Sequence, residues 1–412
     1  MIRSAGLYNA SLAPAEQLKR ISVKEYSAIL TKSEHTEELR PTLFDILAYR
    51  ANQFFSNAGL SGIEPLHEFN FNNQALFSSP EDFVRMDLVR EGVDSHAQEI
   101  HTLKVYQQLV SFHLSQGNTA ALIEADMDRL AYVHQKTTDE RKDLWMYQAL
   151  WDLYQEYKNH AAGQIPYVRA LGLLKDQAGS KNPPRYPQVW TMKEIAAQLT
   201  DVKNKYARTE AASLAMDLLN VIYRSNIEIT LEKELLPDQN AKIRVDYKNI
   251  PSLSFTVYQL PHTDKLNLER YPYKFSKISK YWKPVKHWKA SLPQSEDLLD
   301  HSTEVLLEGL PSGAYLLVVN DRDISAQLDQ NLIYQSFQVS QMAVIKGAGR
   351  KGRSDYYVLD RHNGSAMDNV QVKLFQWKYN EKSKEYELRP LDTYQNQNDG
   401  SFQMKKCRLP IY

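Results

Sequence analysis

Residues 355–375 read DYYVLDRHNGSAMDNVQVKLF, and the period and turn chemistry of this stretch decide the fold class of the chain. Side chains alternate between two faces on either side of Asn363 and Gly364, which both tolerate positive φ. One face carries Tyr356, Val358 and Asp360 before the turn, and Val370, Val372 and Leu374 share a face after it. The stretch therefore predicts strand, turn, strand in an antiparallel β-sandwich. It holds no chemically reactive group, and we expect it to bind nothing by itself.

The same period of two begins near Asn226 and predicts a first sandwich over residues 226–341. Its strands are expected at 227–231, 243–247, 253–257, 302–308, 314–319 and 332–339. The two strands flanking the LPSG turn at 310–313 are predicted to pair as a hairpin. A second sandwich is expected over 342–412, where it would stop short of the roughly 100 residues that an immunoglobulin-like sandwich needs. We therefore expect the chain to be a fragment of a longer protein.

Residues 1–225 are predicted to be all-α because apolar residues recur at spacings of three and four. Helices are expected at 14–32, 40–55, 96–116, 118–136, 140–160, 165–177, 190–199 and 203–220, with a loop near 179–187 where GSKNPPRYP concentrates helix breakers. Short links between helices of similar length predict antiparallel hairpins, as in a repeat stack of the tetratricopeptide kind, although that repeat's consensus is absent. The predicted fold class is thus α+β and multi-domain, with a helical-hairpin or repeat-like region followed by immunoglobulin-like β-sandwiches.

Charge and composition exclude several classes of partner. Fifty basic residues balance fifty acidic ones, so the net charge gives no general case for nucleic acid or an anionic membrane. The N-terminus lacks an apolar run of signal-peptide length, and no stretch is long and apolar enough to predict a transmembrane segment. Cys407 is the single cysteine, so the chain cannot form an internal disulfide.

The GAGRKG sequence at 347–352 matches a dinucleotide-binding pattern, but a strand is predicted after it where that fingerprint needs a helix N-terminus. We interpret the segment as a basic loop between the two sandwiches. Lys346, Arg350, Lys351 and Arg353 are the candidate residues for contact with an acidic partner.

No catalytic, cofactor-binding or metal-binding residue is predicted, no cofactor is expected, and the chain is predicted not to be an enzyme. His96 and His101 lie about 500° apart around a helix and diverge from one face. The acidic groups at 321–323 and 124–128 lack the calcium loop's glycine and final glutamate, so they are interpreted as a solvated turn and a solvated helix face. No serine or cysteine lies in a convincing nucleophile context.

An aromatic and basic insert breaks the strand rhythm at 261–296. Stacked rings among lysines could form a platform for nucleic acid. The balanced charge favours the other interpretation, a packed excursion of the sandwich in which lysine stems lie over rings. No nucleic-acid partner is expected.

The order of several segments resembles the bacterial alpha-2-macroglobulin-like proteins, specifically a helical region followed by the first macroglobulin domains. The segments are RPTLFDIL at 40–47, the strand at 227–231, VDYKN at 245–249, KPVKHW at 283–288, LPSGAY at 310–315 and VLDRHNG at 358–364. Inhibitors of this family use a cleavable bait region and often a thioester made by a Cys-Gly-Glu-Gln motif. The residues after Cys407 are not Gly-Glu-Gln, so that cysteine does not match the thioester position.

The resemblance implies the non-catalytic N-terminal scaffold of a cell-envelope protein, periplasmic or membrane-anchored, with an endopeptidase-inhibitor role in trapping proteases. Its partners would be proteins, including proteases met through parts of the molecule outside this chain. The alternative is a helical-repeat module that binds a partner protein, with the β-sandwiches as spacers.

Overall fold

The computed structural model describes residues 2–30, 36–56, 69–89, 98–180, 182, 185–271, 275, 282–320, 333–347, 353–382 and 384–405. It comprises two compact units, Met1–Tyr223 and Arg224–Tyr412. The first is helical and the second is built mainly of β-strands, so the predicted fold class is confirmed: an all-α region precedes antiparallel β-sandwich layers.

The helices of the first unit are α1 (Ile2–Leu12), α2 (Ala15–Leu18), α3 (Thr36–Leu39), α4 (Leu43–Phe55), α5 (Pro80–Arg85), α6 (Gln98–Gln116), α7 (Thr119–Lys136), α8 (Lys142–Tyr157), α9 (Gln164–Ala178), α10 (Met192–Lys205) and α11 (Glu210–Tyr223). Short 3-10 turns occupy Val23–Tyr26 and Gln74–Phe77. The long helices from α6 onwards match the predicted positions because apolar periodicity is strongest over several turns. The helix predicted at 14–32 is wrong: the chain leaves α2 after Leu18, and Ser22, in extended conformation, bridges to Thr42 and caps a 3-10 turn.

Local capping chemistry fixes where these helices begin. Thr42 accepts a hydrogen bond from the Asp45 backbone, and the Asp45 carboxylate accepts one from the Thr42 N–H at 2.8 Å, which completes a capping box. Pro41, expected at the helix start, therefore lies one residue before the cap. Thr191 and Glu194 form the same box at the start of α10.

Consecutive long helices pack as neighbours: α6 on α7, α8 on α9, and α10 on α11. Gly117 links the first pair at φ 64°, a conformation that costs glycine little, and the Asn118 side chain caps α7. The core includes the fully buried Phe44, Phe83 and Leu109. Helical hairpins are therefore the building unit of this region.

The second unit contains β1 (Asn226–Thr230), β2 (Glu234–Leu235), β3 (Ala241–Lys248), β4 (Ser252–Leu260), α12 (His262–Arg270), β5 (Pro284–Ser291), β6 (His301–Leu307), β7 (Gly313–Asn320), β8 (Ile333–Val339), β9 (Met342–Lys346), β10 (Arg353–Asp360), β11 (Gln371–Asn380), β12 (Glu385–Gln395) and β13 (Ser401–Lys405). Sheets ordered β1-β3-β6 and β2-β8-β7-β4-β5 share one core and form the first sandwich. The pairs are antiparallel except β2 with β8.

The predicted hairpin of β6 and β7 is wrong. β6 pairs with β3, whereas β7 pairs with β4 and β8 in the other sheet. Burial explains the separation, because β6 alternates between core and solvent while β7 is buried on both faces from Ala314 to Val319. The turn at 310–313 thus carries the chain from one sheet to the other.

The second, smaller sandwich contains the sheets β13-β10-β9 and β11-β12. Its core holds Tyr356, Val358, Phe402 and Met404, with Val372 packed against them. The predicted alternation is confirmed on both strands of residues 355–375. The strands do not pair with each other, however: β10 and β11 lie in different sheets, and the turn between them crosses the sandwich.

β9 forms one edge of its sheet among the described strands and is unusually apolar for an edge. Val344 is 60% exposed and Ile345 51% exposed, although Val344 is paired with the buried Val358. The basic segment at 347–352 follows β9 and precedes β10 of the same sheet, so it links two neighbouring strands and does not run between the sandwiches. The strand predicted after it is β10.

Candidate functional site: the joint between the β-sandwiches

The turn at the end of β10 is held by the Asp360 carboxylate. Its Oδ1 accepts hydrogen bonds from the His362 N–H at 2.7 Å and the Asn363 N–H at 3.2 Å, and its Oδ2 accepts one from Gln341 Nε2 at 2.7 Å. The His362 N–H is the largest cause that lowers the pKa of Asp360, followed by the Gln341 amide. Gly364, at φ 75°, closes the turn by donating to the Asp360 carbonyl. The turn is therefore held by its own backbone and by one side chain.

This turn directs Arg361 towards the first sandwich. Its backbone N–H donates to the Gln341 carbonyl at 2.8 Å, and its Nη2 donates to the Glu234 carbonyl at 3.2 Å. Nη1 lies 3.7 Å from Glu234 Oε2, so the guanidinium also forms an ion pair with that carboxylate. Glu234 lies on β2 and Arg361 follows β10, so one side chain connects the two sandwiches.

A cleft of about 320 Å³ opens beside Arg361. Its lining residues are Glu232, Glu234, Leu235, Leu236, Gln239, Asn240, Ala241, Lys242 and Arg361. The cleft carries both signs of charge, but Lys242 is already paired with Glu304 at 2.5 Å and Arg361 with Glu234. Both cations are therefore engaged within the protein, Lys242 inside the first sandwich and Arg361 across the joint.

Arg270 makes a second connection between the sandwiches. At the end of α12, its guanidinium lies 4.5 Å from the ring centroid of Tyr386 and 4.9 Å from that of Trp377, on the β11-β12 sheet. The Tyr271 hydroxyl accepts a hydrogen bond from the Tyr386 N–H at 3.0 Å and donates one to the Tyr386 carbonyl at 3.4 Å. Two separate contacts therefore hold the smaller sandwich against the first one.

The described part of the aromatic insert packs against the first sandwich. Trp282 is 8% exposed and donates a hydrogen bond to Asp264 at 3.1 Å, and Phe275 stacks on Tyr334. Trp288 on β5 stacks on Phe255 at 5.0 Å. These rings are occupied by protein contacts, which supports the packed interpretation. Among the described residues of the insert, Arg270 lies over aromatic rings, whereas the lysines at 274, 277 and 280 lie outside the described residues. Neither α12 nor β5 was predicted.

Of the four predicted basic residues, only Lys346 has a side chain among those that the structure describes. Lys346 is exposed at the end of β9. Arg350 and Lys351 lie outside the described residues, as does the side chain of Arg353, whose backbone begins β10 opposite Lys405. Their contact with an acidic partner stays a prediction.

One of the acidic and histidine interpretations can be compared with the structure. Asp126 is buried and its carboxylate accepts a 2.7 Å hydrogen bond from Arg129 Nε, so the solvated-face interpretation of residues 124–128 is wrong there. His96, residues 321–323 and Cys407 lie outside the described part of the chain. Among the described residues, no group of three or more His, Cys, Asp or Glu side chains is placed to hold a metal ion.

The sequence interpretation missed Arg361 and Arg270. Alternation correctly placed Arg361 on the face opposite Asp360, but it carries no information on whether that face meets solvent or another sandwich. Arg270 precedes Tyr271 in a region of broken rhythm, and only the contact with Trp377 and Tyr386, more than 100 positions later, gives it a role.

The fold and the joint define a multi-domain chain in which a helical region precedes two linked β-sandwiches. None of the helices in the described ranges is long and apolar enough to cross a membrane. No protein-family model matches the sequence, and no curated protein matches it.

Three solved structures of Escherichia coli alpha-2-macroglobulin resemble part of the chain. The crystal structure spanning domains NIE-MG1 is 18% identical, with a TM-score of 0.31 over 44% of this chain and 89% of that one. The structure spanning MG0-NIE-MG1 is 17% identical, with a TM-score of 0.32 over 44% and 59%. The native particle solved by electron cryo-microscopy is 17% identical, with a TM-score of 0.26 over 44% and 12%.

Proposed function

We propose that this chain is a non-catalytic scaffold, the N-terminal part of an alpha-2-macroglobulin-like protein of the cell envelope. The order of sequence segments from 40–47 to 358–364 supports the family. In the whole protein, the role would be to trap or inhibit proteases through parts outside this chain. The observation that carries the scaffold role is the two-point joint made by Arg361 and Arg270.

Two separate contacts restrict the angle between the sandwiches more than one contact can. Arg361 connects β2 to the turn after β10, and Arg270 connects α12 to the β11-β12 sheet. A guanidinium over an aromatic ring is worth about 0.5–1 kcal/mol at an exposed site, and a net hydrogen bond about 0.5–1.5 kcal/mol. A joint of this size holds a preferred orientation, as a scaffold requires.

Distance measurements between spin labels test the scaffold role. Lys289 on β5 and Lys378 on β11 are exposed, and each would be replaced by a labelled cysteine after Cys407→Ser removes the native thiol. The parent chain should give one narrow distance distribution by double electron–electron resonance. Removing both contacts, with Arg270→Ala and Arg361→Ala, should broaden it.

Arg244→Ala is the matched control, because Arg244 forms an exposed ion pair with Asp246 on the same strand. It should leave the distribution narrow. A broad distribution in the parent chain would contradict the scaffold role. No change when both joint arginines are removed would contradict the part given to the two arginines in it.

The envelope location is tested in the native host. We expect the whole protein in the envelope fraction and the coding sequence to supply an export signal and further domains downstream. Recovery of the protein in the cytosolic fraction would contradict this proposal.

The second candidate, a helical module that binds a partner protein, is favoured by the stacked pairs α6–α7, α8–α9 and α10–α11. Such stacks present extended surfaces to partners. A pull-down with the full chain, repeated after charge reversal of exposed residues on either unit, separates the candidates. A scaffold limited to spacing retains no partner, whereas an interaction module loses its partner only when the helical surface is changed.

A further inference from the structure

Several polar side-chain atoms are buried without hydrogen-bond partners where α4, α6 and α7 meet. Asn52 is 4% exposed and its amide lies beside the Tyr106 hydroxyl, but its amide oxygen has no hydrogen-bond partner. The same is true of the Tyr49 hydroxyl, one turn earlier on α4, and of Glu124 Oε2 on α7. A buried polar atom that lacks a partner destabilises the folded protein, so a group of them indicates a missing binding partner.

Negative charge dominates the same place. Glu124 and Asp128 lie four residues apart on α7 and therefore share one face of the helix. Burial is the largest influence that raises the pKa of both, and Glu210 at the start of α11 raises both further. Arg40 opposes these effects, but its guanidinium bonds only Glu124 Oε1, at 2.9 Å. Two carboxylates, those of Glu124 and Asp128, thus act on one guanidinium.

Aromatic rings and hydroxyls complete the surroundings. The Arg40 guanidinium stacks over the Tyr49 ring at 4.0 Å and so leaves Glu124 Oε2 unengaged. Burial, and then the Asp128 charge, raise the pKa of the Tyr106 hydroxyl, whereas the Asn52 amide beside it has the opposite, smaller effect. The hydroxyl of Tyr106, like that of Tyr49, stays protonated and can accept a hydrogen bond through its oxygen.

We propose that the cluster of Tyr49, Asn52, Tyr106, Glu124 and Asp128 forms a pocket, here called the amine pocket, that binds an alkylammonium group. A primary ammonium supplies one positive charge and three N–H donors. Glu124 Oε2 and the Asn52 oxygen are acceptors that lack a donor, and Asp128 supplies the second carboxylate. The protein supplies the carboxylates and the acceptors. The ligand's positive charge balances the carboxylates, and its N–H groups supply the donors that these acceptors lack.

A metal ion fits this pocket less well. Calcium takes six to eight oxygen ligands, whereas no cluster of three metal-ligating side chains is placed for a cation in the described ranges. Arg40 also occupies one oxygen of Glu124. The inference does not depend on the scaffold role, because the pocket lies wholly within the helical unit and the joint within the β unit.

The ammonium could belong to a lysine side chain of a polypeptide or to a free polyamine. Titration calorimetry on the full 412-residue chain would use N-acetyl-lysine methylamide for the first source and cadaverine for the second. The norleucine analogue of the lysine probe has a similar shape and no charge. Binding of either amine without binding of the norleucine probe is expected, and the stronger amine identifies the source.

Two variants link that binding to the pocket. Asp128→Asn keeps the side-chain shape and should weaken amine binding about tenfold or more, because it removes a charged acceptor. Tyr49→Phe removes only a hydroxyl and should weaken it less. Asp217→Asn, an exposed change of the same kind on α11, should bind as the parent does.

Three results would overturn the proposal. One is the absence of binding by both amines at millimolar concentration, which would mean that water fills the pocket. Another is equal binding by Asp128→Asn and the parent chain. The third is calcium binding that Asp128→Asn abolishes while the amines do not bind, which would assign the pocket to a metal.

Discussion

Replacing Arg129 by methionine should destabilise the helical unit more than any other single change considered for this chain. Arg129 is fully buried, with its guanidinium 4.4 Å from the Phe83 ring centroid. Nε donates to Asp126 at 2.7 Å, Nη1 to the Leu76 carbonyl at 2.5 Å, and Nη2 to the Ser78 carbonyl at 2.9 Å. The side chain therefore connects α7 to the turn that precedes α5.

The magnitude follows from what the substitution leaves behind. Methionine fills much of the volume, but Asp126 becomes a buried carboxylate without its cation, and two carbonyls lose a charged donor. Removing one partner of a buried ion pair destabilises a protein by about 3–5 kcal/mol, because the other charge is left buried and uncompensated. We therefore expect Arg129→Met to lower the free energy of unfolding of this region by about 3–5 kcal/mol.

Hydrogen exchange with mass spectrometry measures this locally, which suits a chain of two units where one global unfolding energy is not defined. Peptides from α7 and from residues 74–85 should lose protection in Arg129→Met. Arg141→Met is the matched control, because Arg141 pairs with Asp139 at the surface and also lies over a ring, that of Trp145. Equal protection in Arg129→Met and Arg141→Met would refute the reasoning. Adding Asp126→Leu to Arg129→Met removes the unpaired carboxylate and should restore part of the protection, and a failure to do so would also refute it.

Four further outcomes are expected. Thr42→Ala removes the cap of α4 and should cost about 1 kcal/mol by urea denaturation, and an unchanged midpoint would contradict the capping role. Because the pKa of Asp360 is lowered on folding, its contribution is present above the unfolded pKa of about 3.9 and is lost as pH falls through the folded pKa. The stability difference between the parent and Asp360→Asn should shrink over that window, and a pH-independent difference would contradict the assignment. Gly400→Ala should destabilise the second sandwich by roughly 1–2 kcal/mol or more, since φ is 78° and the new Cβ would lie 2.6 Å from the Val358 carbonyl oxygen. Gly6→Ala is the control, because a Cβ there meets open space. Equal melting temperatures for the two variants would contradict the strain at Gly400. Circular dichroism of the fragments before and after Asn226 should be helical and β-rich respectively, and two similar spectra would contradict the fold.

The local sequence pattern predicted where most helices and strands lie, but it did not predict which strands pair with each other. The alternation in residues 355–375 correctly gave the buried faces of β10 and β11, because burial on one side of a strand leaves a period of two. It could not show that the strands belong to different sheets, since a turn within a hairpin and a turn across a sandwich use the same residues. The predicted pairing of β6 with β7 was wrong for the same reason.

The contacts of the joint could not be predicted from local sequence patterns, because they connect residues that are far apart in the sequence. Arg361 contacts Glu234, 127 positions away, and Tyr271 contacts Tyr386, 115 positions away. The interpretation of Asp126 was wrong for a different reason. Three acidic residues within five positions indicated a solvated face, yet Asp126 forms a buried ion pair with the arginine three residues later. The i, i+3 spacing of Asp126 and Arg129 was the signal that could have found it.

The exposed edge strand β9 has a practical consequence for handling the protein. Unpaired backbone groups beside the exposed Val344 and Ile345 form a template on which a strand of another molecule can add, which is a common route to aggregation. Lysine at a strand edge opposes such addition, because a second copy would bring like charges together. Lys346 ends β9 and is exposed. High salt screens that repulsion, so colloidal stability should fall as ionic strength rises.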